Sequence, residues 1–143
     1  MNNVFQKQVF LIAEDDSDHF YMIKNAFKGN RLEEDLFRVT NGVEAMDYLL
    51  HQGKYEDVRT YPRPLMVILD LNLPKKDGRA VLKEMKASPS LEDIPVAILT
   101  TSINKEDEIN SYNSGAKFFF KKPVLLKEYI NIVKTLKEYC LHL

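Results

Sequence analysis

The sequence predicts an α/β fold built on a parallel sheet. Short apolar runs alternate with longer segments of helical period, five times over. Alternation of that kind implies right-handed crossovers and strands that all run the same way. The third run, Leu65 to Leu69, is uniformly apolar, as expected of a central strand covered on both faces. The 143 residues are close to the roughly 150 of one domain. No linker divides them, so a single domain over 1–143 is expected, with no room for a second one.

The elements follow in order. Gln8 to Ala13 is the first strand, rich in Val, Phe, Leu and Ile. Ser17 or Asp18 is placed to cap the next helix, which runs to about Lys28 with Gly29 as its stop. Leu36 to Thr40 alternates in polarity and reads as an edge strand. Asn41-Gly42 marks a turn. Val43 to about Gln52 is helical, with Ala45, Met46, Leu49 and Leu50 on one face. The stretch from His51 to Pro64 breaks the rhythm; it is polar, aromatic and proline-bearing, and reads as a long surface loop. Arg79 to Ala87 is helical, with Pro89 just past its end. Val96 to Leu99 is the fourth strand and Asn104 to Asn113 a polar helix ending before Gly115. Phe118 to Phe120 is the last strand; its rings alternate faces, so at least one belongs to the core. Leu125 to Leu143 is the final helix.

Composition excludes several classes. Lys plus Arg is 20 and Asp plus Glu 21, a net charge of -1. That balance argues against a general binder of nucleic acid or anionic membrane. The lone Cys140 excludes an intramolecular disulfide and any cysteine-based metal cluster, and fits a cytoplasmic setting. The start of the chain lacks the pattern of a signal peptide. No apolar run reaches the roughly 20 residues needed to span a bilayer.

In an open parallel sheet, ligands gather at the carboxyl ends of the strands. After the first run come Glu14, Asp15 and Asp16; after the third, Asp70; after the fourth, Thr100, Thr101 and Ser102; after the fifth, Lys121, Lys122 and Pro123. Carboxylates converging on one rim repel each other, and desolvation adds to the cost. A hard divalent cation relieves both, and Mg²⁺ is typically held by one or two carboxylates plus phosphate. Asp70 leaves a buried central strand and is the natural nucleophile on phosphorus. Glu14 and Asp15 are better placed as metal ligands. Lys122 and Thr100 remain to contact a phosphoryl group.

These motifs resemble the receiver domain of two-component response regulators. The matching residues are Leu11-Ile12-Ala13-Glu14-Asp15-Asp16, Val67 through Asp70 to Gly78, Pro95 through Thr100 to Ser102, and Ser114-Gly115-Ala116 leading to Lys122-Pro123. Four motifs in order, each after an expected strand, are far more specific than any one alone. The resemblance implies the flavodoxin-like (βα)5 fold with strand order 2-1-3-4-5. It implies Asp70 as phosphoacceptor. It implies Mg²⁺ on Glu14, Asp15, Asp70 and the backbone carbonyl of Asn72. Thr100 and Lys122 would contact the phosphoryl group, and Thr100 and Phe119 would form the switch pair. Phe119 lacks the ring hydroxyl that many members carry there. Pro123 stands at the rim, after a bond often cis in the family. The phosphoryl donor would be a sensor histidine kinase or a phosphotransfer protein. The loop at 51–64, the Leu-Thr-Thr-Ser run and Ser111-Tyr112-Asn113 look like the small regulators that partner bacteriophytochromes, which lack an output domain.

Plainer readings stand beside these. Glu14-Asp15-Asp16 taken alone is equally a solvated turn with a helix cap, and Asp16 reads as first-turn helix charge. Asp77-Gly78 reads as turn and cap chemistry. His19, His51 and His142 read as surface polar residues, and Lys121 as a solvated neighbour of Lys122. Cys140 reads as a small apolar filler. Two apolar stripes run along the last helix, one through Leu125, Tyr129, Ile132, Leu136, Tyr139 and Leu143, the other through Leu126, Ile130, Val133 and Cys140. Either both are core, or the second marks a homodimer surface. Two rival functions remain: a phosphorylation-independent binding module and a Mg²⁺-dependent aspartyl-phosphate phosphatase. Such phosphatases place an acid two residues after the nucleophile, where this chain has Asn72. A flavin protein is disfavoured by the lack of a flavin-binding loop. The expected protein is a self-phosphorylating receiver, not an enzyme turning over an external substrate.

Overall fold

The structure is a computed structural model and describes residues 8–30, 35–102 and 104–142. Strands and helices alternate: β1 Val9–Ala13, α1 Ser17–Gly29, β2 Asp35–Val39, α2 Gly42–Leu49, β3 Met66–Leu69, α3 Gly78–Ala87, β4 Val96–Thr100, α4 Lys105–Asn113, β5 Phe118–Lys121 and α5 Leu126–Leu141. All pairings are parallel, in the order β2-β1-β3-β4-β5. This is the flavodoxin-like (βα)5 topology expected from the sequence.

The apolar runs are uniform because both faces of the sheet are covered. Leu11, Ala13, Val67, Leu69, Val96 and Ile98 turn to one side, into a core shared with α2 and α3. Phe10, Ile12, Met66, Ile68, Ala97 and Leu99 turn to the other, against α1 and α5. The period of two persists inside each run, but both sets meet protein. In β5 the alternation separates the rings. Phe118 and Phe120 stack with centroids 5.8 Å apart on the α5 side, while Phe119 packs against the opposite core.

Register brings the strand ends together. Ala13 pairs with Leu69, Leu69 with Ile98, and Thr100 with Lys121. The ladder continues past the strands, with Asp70 N–H donating to Ala13 at 3.1 Å and Lys122 N–H to the Thr100 carbonyl at 2.7 Å. Glu14, Asp70, Thr100 and Lys122 therefore share one rim.

Two expectations about α1 are corrected. Its N-cap is Asp16, whose Oδ1 accepts from Asp18 N–H at 2.9 Å and His19 N–H at 3.1 Å; neither Ser17 nor Asp18 caps. A carboxylate satisfies two orphan amides and meets the helix dipole, which a hydroxyl does less well. Gly29 lies inside the helix, and the chain is capped by Asn30, whose Nδ2 donates to Ala26 and Ile130 carbonyls, both at 2.9 Å. Gly29 is small because α5 is close: a Cβ there would meet Ile130 Cδ1 at 2.8 Å.

The 51–64 loop turns its aromatic residues inward. Tyr55 and Tyr61 rings lie 4.9 Å apart, Tyr48 and Tyr55 5.2 Å, and Phe37 and Tyr61 5.5 Å. Tyr48 Oη donates to the Pro62 carbonyl at 2.9 Å and Tyr55 Oη to Glu44 at 2.7 Å. Ring contacts of this kind, edge-to-face for Tyr55–Tyr61 and Phe37–Tyr61, add to plain burial. Tyr61→Ala is expected to cost about 2 kcal/mol in urea unfolding, with the strand-end chemistry unchanged.

Along α5, Tyr129, Val133 and Leu136 are buried, and Ile130, Ile132, Tyr139 and Cys140 pack partly buried on the same core. Both stripes thus contribute to the interior, Cys140 included. Exposed apolar side chains concentrate at the helix ends, at Val124, Leu125, Leu126 and Leu141. Leu143 and residues 1–7 lie outside the described residues. Peptide bonds among the described residues are trans, that before Pro123 included.

Candidate functional site

The rim is built by strand ends. β1 delivers Glu14 and Asp15, β3 delivers Asp70, β4 ends on Thr100 and β5 leads to Lys122. Glu14, Asp70, Thr100 and Lys122 are buried, whereas Asp15 is exposed. Burying charge is costly unless it is paired, and the pairing is tight. The Lys122 ammonium lies 2.6 Å from Glu14 Oε1 and 2.7 Å from Asp70 Oδ2. Its third contact is His19 Nδ1 at 2.9 Å. The second oxygens are held by backbone amides: Glu14 Oε2 accepts from Asp16 N–H and Asp70 Oδ1 from Asn72 N–H, each at 3.1 Å. Thr100 Oγ1 accepts from Ser102 N–H at 3.4 Å.

Two buried carboxylates share one ammonium, so the buried charge is net negative. Burial pushes Glu14 up to about 7, with the hydrogen bond and charge of Lys122 opposing and the charge of Asp70 adding to the rise. Burial works to lower Lys122, but hydrogen bonds to Asp70 and Glu14 outweigh it and hold the ammonium above its usual range. Lysine thus stays charged, and one carboxylate is reluctant to ionise.

A cation belongs where that charge is lacking. Oxygens of Glu14, Asp15 and Asp70 lie within 4.8 Å of one another. The donors are all hard carboxylate oxygens, a set suited to Mg²⁺ or Mn²⁺ and unlike the nitrogen and sulfur ligands typical of zinc. The residues therefore fit the metal that the resemblance implies.

Other expected residues are placed as follows. Asn72 borders Asp70 through its amide. Pro123 follows Lys122 and is half-buried. Phe119 is half-buried against the α2–α3 core, and its backbone N–H donates to Tyr112 Oη at 3.1 Å. Asp77 caps α3, as expected, accepting from Arg79 N–H at 2.9 Å.

Two features escaped the sequence reading. His19, read as a surface residue, touches Lys122 across 103 positions. Its signal was the helix phase, which returns residue 19 toward the cap at Asp16. Arg79 was not singled out at all. It donates to both Asp107 oxygens, at 2.9 and 2.7 Å, and to Asp77 at 3.1 Å. Ser102 Oγ donates to the same Asp107 at 2.6 Å. These bonds tie the start of α3 and the loop after β4 to the first turn of α4 and hold Asp107 below its ordinary value, chiefly through the Arg79 hydrogen bond. Nothing local in the sequence marks a pair 28 positions apart.

A sheet of this topology, with a buried aspartate beside a lysine at its carboxyl edge, defines an α/β protein with an acidic pocket. Residues 10–134 match the model of the response regulator receiver domain, and the chain belongs to that family of two-component systems. Response regulator Rcp1 of Synechocystis sp. is 38% identical over 134 residues, covering 94% of this chain and 89% of its own length. The phosphorylated cyanobacterial phytochrome response regulator RcpA superposes with a TM-score of 0.85 at 37% identity, covering 94% of each chain. The Mn²⁺-bound form of Rcp1 gives 0.82 at 38% identity, covering 92% of this chain and 93% of its own. The bacteriophytochrome response regulator AtBRR gives 0.77 at 33% identity, covering 92% and 94%. Among the described residues, no helix is long and apolar enough to cross a membrane.

Proposed function

We propose that this chain is a single-domain response regulator whose Asp70 takes a phosphoryl group from a phosphohistidine. The donor is a sensor histidine kinase of the phytochrome type, or a phosphotransfer protein, in keeping with the relatives named phytochrome response regulators. The observation that carries the reading is the buried Asp70 carboxylate, fixed by Asn72 N–H at 3.1 Å and faced by the Lys122 ammonium at 2.7 Å.

The Asp70 carboxylate, hydrogen-bonded by Lys122 at 2.7 Å, attacks phosphorus in line. The new bond is carboxylate oxygen to phosphorus. The phosphorus–nitrogen bond of the donor breaks, and its electron pair returns to the imidazole. Lys122 moves its hydrogen bond from the carboxylate to a phosphoryl oxygen. The Thr100 hydroxyl donates to another. Glu14, Asp15, Asp70 and the Asn72 carbonyl would hold Mg²⁺, which would supply positive charge to the phosphoryl oxygens. The chain is spent once per phosphoryl group and turns over no external substrate. The added charge biases a two-state surface around Thr100 and Phe119, and the output is contact with another protein or a dimer through α5, in the cytoplasm.

Phosphotransfer from a labelled phytochrome-type kinase tests this directly. Label is expected on the chain with Mg²⁺ and not with a chelator; label that never leaves any candidate kinase or phosphotransfer protein overturns the reading. Light scattering that finds a monomer in both phosphorylation states removes the dimer from it.

The site also predicts a pH dependence. Glu14, raised to about 7, keeps a proton in the folded metal-free protein that the unfolded chain loses near its ordinary value. This contribution to stability is present at low pH and is lost as pH rises through about 7. Metal binding requires the ionised carboxylate, so Mg²⁺ affinity is expected to rise from pH 5.5 to 8 by about tenfold per unit below the Glu14 pKa. Calorimetry in buffers of differing ionisation enthalpy reads the released proton.

A further inference from the structure

We propose that His19 is a positioning residue for Lys122, the third acceptor that keeps the ammonium in place when its carboxylate partners are taken. The inference rests on the phosphoryl-transfer reading and deepens it. The side chain of Lys122 is 3% exposed, while that of His19 is 34% exposed. His19 therefore bridges solvent and the buried cluster.

A protonated lysine has three hydrogens and no acceptor. In this site the three go to Glu14 Oε1, Asp70 Oδ2 and His19 Nδ1. Since lysine only donates, Nδ1 must accept, which fixes the neutral imidazole with its proton on Nε2. The backbone of His19 is held in the first turn of α1, where its N–H donates to Asp16 Oδ1 at 3.1 Å.

Metal binding and phosphoryl transfer together weaken two of the three acceptors. A cation on Glu14 would compete for its oxygens, and formation of the acyl phosphate at Asp70 would withdraw much of the negative charge from its carboxyl group. An ammonium with neither partner would be buried with nothing to hold its direction. His19 belongs to neither change. It stays hydrogen-bonded to Lys122 through the reaction and leaves two hydrogens to meet the incoming phosphoryl oxygens. Without an acceptor at 19, Lys122 must be ordered during the reaction, and the rate falls.

Two variants separate this role from packing. His19→Leu keeps bulk and removes the acceptor; His19→Gln keeps an acceptor oxygen. With acetyl phosphate and Mg²⁺, His19→Leu is expected to phosphorylate about tenfold more slowly. His19→Gln is expected to stay within about threefold of the native rate, on the same grounds. Equal rates in all three proteins, or equal losses in both variants, overturn the proposal. A second readout needs no phosphoryl chemistry. The Lys122 ammonium, followed by NMR in lysine-labelled protein with both carboxylates free, is expected to show exchange-protected protons in the native protein and His19→Gln, and faster exchange in His19→Leu. Unchanged exchange in His19→Leu overturns the hydrogen bond itself. Should the native protein accept no phosphoryl group, the function fails while this NMR comparison still decides the contact.

Discussion

Asp70→Asn is expected to abolish phosphoryl uptake and leave the fold standing. An amide is no nucleophile towards phosphorus at neutral pH, so the loss is complete, not graded. The fold survives because the substitution eases the local electrostatics. Glu14 and Asp70 now share one ammonium at 2.6 and 2.7 Å; with Asn at 70, one buried carboxylate faces one ammonium. Asn also retains an oxygen that can accept from Asn72 N–H. Intact mass after incubation with Mg²⁺ and acetyl phosphate is the measurement. Native protein should gain one phosphoryl group and Asp70→Asn none, with unchanged circular dichroism. Equal gain in both would move the phosphoacceptor elsewhere. No gain in the native protein, with Mg²⁺ binding confirmed, would leave a binding module or a strictly kinase-dependent receiver, and phosphotransfer from candidate kinases separates those two.

The second large effect is on stability. Gly78 opens α3 and lies against the backbone that carries Asp70: its N–H donates to the Leu71 carbonyl at 2.9 Å, and a Cβ would stand 2.0 Å from the Asp70 carbonyl oxygen. Backbone cannot swing aside as a long side chain can. Gly78→Ala is expected to cost about 3 kcal/mol, the upper range for overpacking, and to lower Tm by about 10 °C. Gly53→Ala is the contrast. Nothing lies within 4 Å of a Cβ there, and only its positive φ of 60° resists substitution. That strain is worth about 1 kcal/mol. Thermal unfolding of both variants distinguishes steric contact from backbone strain. A Gly78→Ala protein as stable as the native one would mean that the helix start can retreat from β3.

Much of this was legible in the sequence because strand ends are local facts. The residue after an apolar run sits at the sheet's rim whatever the rest of the chain does, so Glu14, Asp70, Thr100 and Lys122 could be read in one dimension. Helix ends were less legible. Asp16, Ser17 and Asp18 are all capable caps, and backbone geometry selected Asp16. Gly29 illustrates the same limit: glycine signals a stop when its freedom is used, but here its lack of a side chain admits Ile130. Contacts between distant segments were the least legible. His19 reaches Lys122, and Arg79 reaches Asp107, only after the sheet has ordered β1, β3, β4 and β5. The loop from 51 to 64 read as polar, aromatic and proline-bearing and on the surface, yet Tyr55 and Tyr61 turn into the core.

That loop has a consequence for how the molecule divides its labour. The tyrosine cluster packs on Phe37 of β2 and Tyr48 of α2, at the sheet edge away from β4 and β5. The acidic rim is held by the charges of Glu14, Asp70 and Lys122, none of which takes part in the ring contacts. A metal or a phosphoryl group can therefore rearrange the rim while the packing beside β2 acts as ballast.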